Sequence, residues 1–169
     1  GLFEVDRETW KLGNIEGDCL FLYSDSLRAP QDVIAYVRRL YEKFRESIEE
    51  VASGSTCRCG ACDRSGDLTL KFVVHGGAFD IQAIAGRSEL IGPDIVIAHR
   101  LLKNSVPMRE YALVTTPLAG MAEASGLPAT RGRDEYGDIG AVDYVYMDLR
   151  GVREAYEKLQ RSARVDIFI

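Results

Sequence analysis

Three cysteines crowd into the stretch CRCGAC, at Cys57, Cys59 and Cys62. Thiolates spaced C-x-C-x-x-C around a glycine can turn inward onto one ion, and a closed structural zinc site needs four ligands. A fourth must come from elsewhere, and within the chain Cys19 and His75 are the candidates. A partner subunit is another source, and a loop with spare thiols, or with a redox role, explains the same residues. Asp18 follows Gly17 between two stretches that read as strands. Gly-Asp is a good turn in its own right, and it is also a way to hold one carboxylate at a rigid hairpin tip for a metal ion. Arg100 and Lys103 in HRLLKN lie three apart on a helix. Two cations on one helical side can hold a triphosphate, although a solvated helix surface has the same spacing. His75 precedes two glycines at a strand end, where it is either structural, a zinc ligand or the lining of a pocket.

Other chemistries find no support. The carboxylates of GRDEYGD, residues 132–138, do not make a recognisable acid–base pair. No serine has a convincing His–Asp partnership. There is no G-x-x-x-x-G-K-[ST] loop and no dinucleotide fingerprint.

The elements that must position these residues can be read from periodicity. Residues 8–14 and 19–24 flank the Gly17-Asp18 turn as a hairpin, and the apolar second strand reads as a central one. Pro30 starts a helix in which Val33, Val37, Leu40, Tyr41, Phe44, Ile48 and Val51 recur at three- and four-residue steps. After the cysteine loop, residues 68–75 alternate: Leu68, Leu70, Phe72 and Val74 share one face, Thr69, Lys71, Val73 and His75 the other. Gly76-Gly77 is expected to turn this strand into a hairpin with the next. Gly92, Pro93 and Asp94 then open a second helix, with the acid suited to the helix dipole. EYALVTT reads as a strand, PLAGMAEASGLP as a short helix, TRGRDEYGDIGA as a polar excursion, VDYVYMDL as a strand and VREAYEKLQRSA as a closing helix or linker. Hairpins mixed with helices imply an α+β fold, with helices packed on one face of a mainly antiparallel sheet.

At 169 residues the chain suits a single domain over 1–150, with 151–169 as a C-terminal helix or linker. It is 46% apolar and 28% charged, ordinary values for a globular protein. The net charge of −5 argues against a general nucleic-acid binder. No run of about 18 apolar residues spans a membrane, and no signal peptide opens the chain. A cytoplasmic protein with reduced thiols is therefore expected.

The segments IEGD, CRCGAC, LKFVVHGG, IGPD and AHRLLKNSV, in that order, carry a resemblance covering about Lys11 to Leu149. The chain resembles the catalytic domain of class III nucleotidyl cyclases. It is most similar to an uncharacterised bacterial family of cyclase-like domains marked by E-G-D, C-x-C-x-x-C and H-R-L-L-K-N. The resemblance implies a ferredoxin-like α+β sandwich, a homodimer with its site at the interface, and Mg²⁺ or Mn²⁺ on a nucleoside triphosphate. It places Asp18 at the second metal carboxylate and Arg100 at the transition-state arginine. It places Asn14 at the purine-reading lysine and Glu89 near the other purine contact, while Val96 occupies the place of the ribose asparagine. Lys103 joins the nucleotide contacts. By the resemblance the given sequence begins after the family's first strand and helix, which carry the first metal carboxylate, and these are expected upstream of it or from a partner unless the domain has lost them. The expectation is a cyclase-fold signalling domain that binds a nucleotide or related anion with little or no turnover. An active cyclase and a zinc-stabilised interaction module are the alternatives.

Overall fold

The computed structural model describes residues 9–26, 30–54, 64–120 and 128–154. Its centre is a four-stranded sheet of β3 (Phe72–Val74), β6 (Tyr111–Thr115), β8 (Gly140–Asp148) and β7 (Ala129–Tyr136), in the order β3-β6-β8-β7. β3 runs parallel to β6, and β8 runs antiparallel to both β6 and β7. Two hairpins form separate two-stranded sheets, β1 (Lys11–Glu16) with β2 (Cys19–Tyr23) and β4 (Asp80–Ile84) with β5 (Arg87–Ile91). Among the described residues the α-helices are α1 (Pro30–Gly54) and α2 (Pro93–Leu101), residues 150–154 are also helical, and Ser65–Asp67 and Thr116–Leu118 are short 3-10 turns. The architecture is thus mixed α+β and rich in antiparallel pairs.

Strand alternation assigns one helix to each face of the sheet. Ala112, Val114 and Met147 face Val33, Ile34, Val37 and Tyr41 of α1, with Phe72, Val74 and Val145 beside them. Tyr111, Leu113 and Tyr144 join Leu101 of α2, with Val73, Ile97 and Tyr146 packed against them. The expectation that the helices share one face is therefore corrected. β6 is buried along its whole length, as a strand covered on both sides must be. Val152 enters the α1 cluster from beyond residue 150. At the margin of that cluster Arg45 and Glu110 are buried, with Arg153 3.6 Å from Glu110.

Three further expectations change. β2 is not a central strand: among the described residues it pairs with β1 in a two-stranded sheet. Gly76-Gly77 does not close a hairpin: β3 pairs with β6, and the neighbouring hairpin turns instead at Ala85-Gly86, between Ile84 and Arg87. Three apolar residues with a covered neighbour on one side suit a short parallel strand, so the chain leaves the sheet after Val74. Residues 129–136 are a strand, not a polar excursion. Among the described residues β7 pairs only with β8, and an outer strand tolerates polar side chains. Arg133 grips Asp143 across that pair with two hydrogen bonds, at 2.6 and 2.7 Å. Residues 121–127, which hold most of the expected short helix, lie outside the described residues.

Candidate functional site

The Gly17-Asp18 pair does make the tip of a hairpin. Gly17 sits at φ +62°, a conformation glycine adopts without strain. Asp18 is exposed beside it. Asn14 lies on β1 just after the irregularity at Gly13. Its side-chain amide donates to Glu16 at 3.1 Å, and its oxygen accepts from the Ile15 N–H at 2.8 Å. The hairpin is not free of the remaining fold. Trp10 stacks on Tyr36 of α1 with ring centroids 4.9 Å apart, and Tyr23 meets Phe79 edge-on at 5.6 Å. Phe21 stacks on His99 of α2 at 5.0 Å, and Glu16 approaches the same ring at 3.7 Å. Gly13 packs so tightly on Leu90 that a Cβ there would stand 2.8 Å from Leu90 Cδ1. The strands bearing Asn14 and Glu89 therefore adjoin, and the hairpin bearing Asp18 lies against the helix bearing Arg100.

Arg100 closes the last turn of α2 and is exposed. Its guanidinium donates to Asp138 at 2.5 Å, across from the β7–β8 turn. Lys103 lies beyond the end of α2, in a further turn closed by its N–H on the Arg100 carbonyl at 3.0 Å. The two cations remain three residues apart, but not on one continuous α-helix as the spacing suggested. Val96 is exposed on α2.

His75 is nearly enclosed, its side chain 10% exposed. Nε2 lies 3.0 Å from Asp94 Oδ1, and Nδ1 lies 3.0 Å from the Thr115 hydroxyl. A carboxylate only accepts, so Nε2 carries the proton. In the neutral ring Nδ1 then accepts from Thr115. Both nitrogens are engaged, so the histidine works as a structural tie. Asp94 was expected to serve the helix dipole. It also receives the Ala78 N–H at 2.8 Å on its second oxygen. The hydrogen bond from His75, and then that from Ala78, hold its carboxyl below the usual value of 3.8. Gly77 makes this approach possible: a Cβ there would stand 2.1 Å from Asp94 Cγ. The glycine pair after His75 is therefore a close-approach site.

Lys71, Asp94, Thr115 and Asp138 escaped the sequence reading as partners. His75 and Asp94 are separated by 19 positions, His75 and Thr115 by 40, and Arg100 and Asp138 by 38. Only the topology brings such residues together. The sole legible signal was the placement of Lys71 and His75 on one strand face.

Cys57, Cys59 and Cys62 lie outside the described residues. Cys19 is a half-buried free thiol whose pKa is raised, chiefly by burial and then by Glu16 and Asp18. Among the described residues no three His, Cys, Asp or Glu side chains gather as a metal cluster. Asp18 offers one exposed carboxylate, which does not amount to a two-metal site. Among the described residues, no helix is long and apolar enough to cross a membrane.

The sequence profile of a family described as "Protein of unknown function (DUF2652)" matches residues 2–111. The chain belongs to this family. It is also similar to "Uncharacterized protein Rv2561/Rv2562" of Mycobacterium tuberculosis (strain ATCC 25618 / H37Rv), with 31% identity over 140 residues. That match covers 82% of this chain and 66% of the relative, so the chain spans just under two thirds of the relative's length. The DUF2652 match takes in both hairpins, α1 and α2. It includes Asn14, Asp18, His75, Glu89, Arg100 and Lys103, and stops at the first residue of β6.

Proposed function

We propose that this DUF2652 domain is a cyclase-like signalling module that binds a nucleoside triphosphate or a related polyanion, with weak or no turnover. The observation that carries the reading is the packing of the β1–β2 hairpin on α2 through Phe21 and His99. It sets the Gly17-Asp18 tip on one element and Arg100 on its neighbour. Arg100 and Lys103 supply charge for phosphate oxygens, and among the described residues the ion-pair partner Arg100 would exchange for a ligand is an exposed carboxylate, Asp138. Asn14 and Glu89 lie on adjoining strands and offer polar groups to a base. Weak turnover follows from the side chains at hand. Val96 supplies no hydrogen bond to a ribose, and the Asn14 amide already bonds to Glu16. A cyclisation would need charge stabilisation beyond one arginine and one exposed carboxylate. The module would work as a homodimer if the pairing of the cyclases it resembles applies.

Incubation of the protein with Mn²⁺ and each of the four nucleoside triphosphates, with products identified by mass spectrometry, tests the reading. The expected result is triphosphate recovered intact. A cyclic nucleotide that disappears on Asp18→Ala and on Arg100→Ala would replace the proposal with an active cyclase.

A further inference from the structure

We infer that Lys71 and His75, which flank β3 at its two ends, form a two-point seat that sets the position of Arg100 for its anionic ligand, with His75 as a positioning residue. The inference rests on the reading of Arg100 as a polyanion contact. Lys71, Val73 and His75 alternate onto one face of the extended segment around β3. Lys71 Nζ donates to the Leu102 carbonyl at 2.8 Å, at the C-terminal end of α2. His75 binds Asp94 at 3.0 Å, in the first turn of the same helix. Between them Val73 packs in one cluster with Ile97 and Leu101.

The lengths agree. Four strand steps from Lys71 to His75 cover about 13 Å, and eight helical steps from Asp94 to Leu102 about 12 Å. α2 therefore lies antiparallel along this segment with both ends fastened. The charges suit the helix as well, a carboxylate at its N-terminal end and an ammonium at its C-terminal end. A nine-residue helix is marginal on its own, so the anchors decide where its last turn stands. Arg100 is in that turn. The C-terminal end has a third tie, Asn104 donating to the Leu101 carbonyl at 2.7 Å. His75, enclosed and bonded at both ring nitrogens, and Lys71, held on the Leu102 carbonyl, act on Arg100 through the helix.

The test combines triphosphate affinity of the whole chain with amide exchange of α2. The variants are His75→Phe, His75→Gln, Lys71→Met, Arg100→Ala and the double variant His75→Phe/Arg100→Ala. His75→Phe and Lys71→Met are expected to weaken ATP binding about tenfold and to speed exchange in α2 while α1 stays protected. His75→Gln, which retains a donor, should recover part of both. In the Arg100→Ala background His75→Phe should cost no further affinity, because its effect passes through Arg100. Unchanged affinity in both anchor variants, or full additivity with Arg100→Ala, would overturn the inference. Should His75→Phe fail to fold, Lys71→Met carries the same comparison. Should the wild type bind no triphosphate, the functional reading falls, and the seat stands or falls on whether α2 exchange responds to the anchors.

Discussion

On the α1 side of the four-stranded sheet, a 25-residue helix lays Val33, Ile34, Val37 and Tyr41 over Ala112, Val114 and Met147. On the α2 side a nine-residue helix brings Leu101 and Ile97 into a second apolar cluster with Leu113, Tyr111 and Tyr144, and polar ties add to that cluster. Asn104 links the Leu101 carbonyl to the Tyr111 hydroxyl, at 2.7 Å each. Asp134 accepts from the Ser105 N–H at 3.0 Å and from the Tyr144 hydroxyl at 3.2 Å. His75, Thr115 and Asp94 close the far end. Burial, followed by the nearby Asp134 carboxylate, pushes the Tyr136 phenol up to about 12, so it stays neutral and able to donate. A long amphipathic helix is held by area, which is non-directional. A short one needs directional bonds, and those fix its orientation more closely than its stability. Arg100 and Lys103, the cations of the proposed ligand contacts, sit on the second side.

The largest effect should come from the area-held side. Met147 is 1% exposed in the α1 cluster, and Met147→Ala is expected to cost about 2–5 kcal/mol. Denaturant unfolding followed by fluorescence and by helical signal together should show one cooperative shift. Gly77→Ala comes next, because its methyl would fall on Asp94. A loss of about 1–3 kcal/mol is expected from the overlap. Exchange in α2 should accelerate more than exchange in α1, which would separate the two sides; equal acceleration would merge them.

Asp94→Asn removes the charged acceptor of His75 and should cost about 1 kcal/mol at neutral pH. It should also change the acid limb of stability. A carboxyl whose folded pKa lies below its unfolded value stabilises the fold above the unfolded value. That contribution is lost as pH falls from about 3.8 through the depressed folded value. Wild type and variant should therefore begin to converge below about pH 3.8, as measured by thermal unfolding from neutral pH down to about pH 2. The smallest effect is expected at Asp138. Its pair with Arg100 is half-exposed on both sides, and such pairs are weak. Asp138→Asn should leave stability unchanged and tighten triphosphate binding by about twofold to fivefold, because a weak competing pair is released.

The area-held side was legible in the sequence. The three- and four-residue recurrence of Val33, Val37 and Tyr41 gave α1, and the apolar run 111–115 gave β6, because burial leaves a periodic trace in residue type. The polar side was not. Asp94 read as a dipole partner and Gly76-Gly77 as a hairpin turn, since local rules assign each residue its nearest role. The His75–Asp94 bond depends on β3 pairing with β6 instead of with β4, a choice made by non-local strand pairing. β7 was missed for a similar reason: an outer strand carries polar residues that resemble a loop. The candidate positions at Asp18 and Arg100 came from motif order. Their elements prove to be neighbours, while the Asp138 contact to Arg100 had no local signal.

The most direct test is an equilibrium titration of the protein with ATP and GTP by calorimetry, alongside Arg100→Ala and Asp18→Ala. The account predicts saturable binding of at least one triphosphate that weakens strongly in Arg100→Ala. A folded wild-type protein that binds neither nucleotide, or an Arg100→Ala variant that binds as well as wild type, would contradict it.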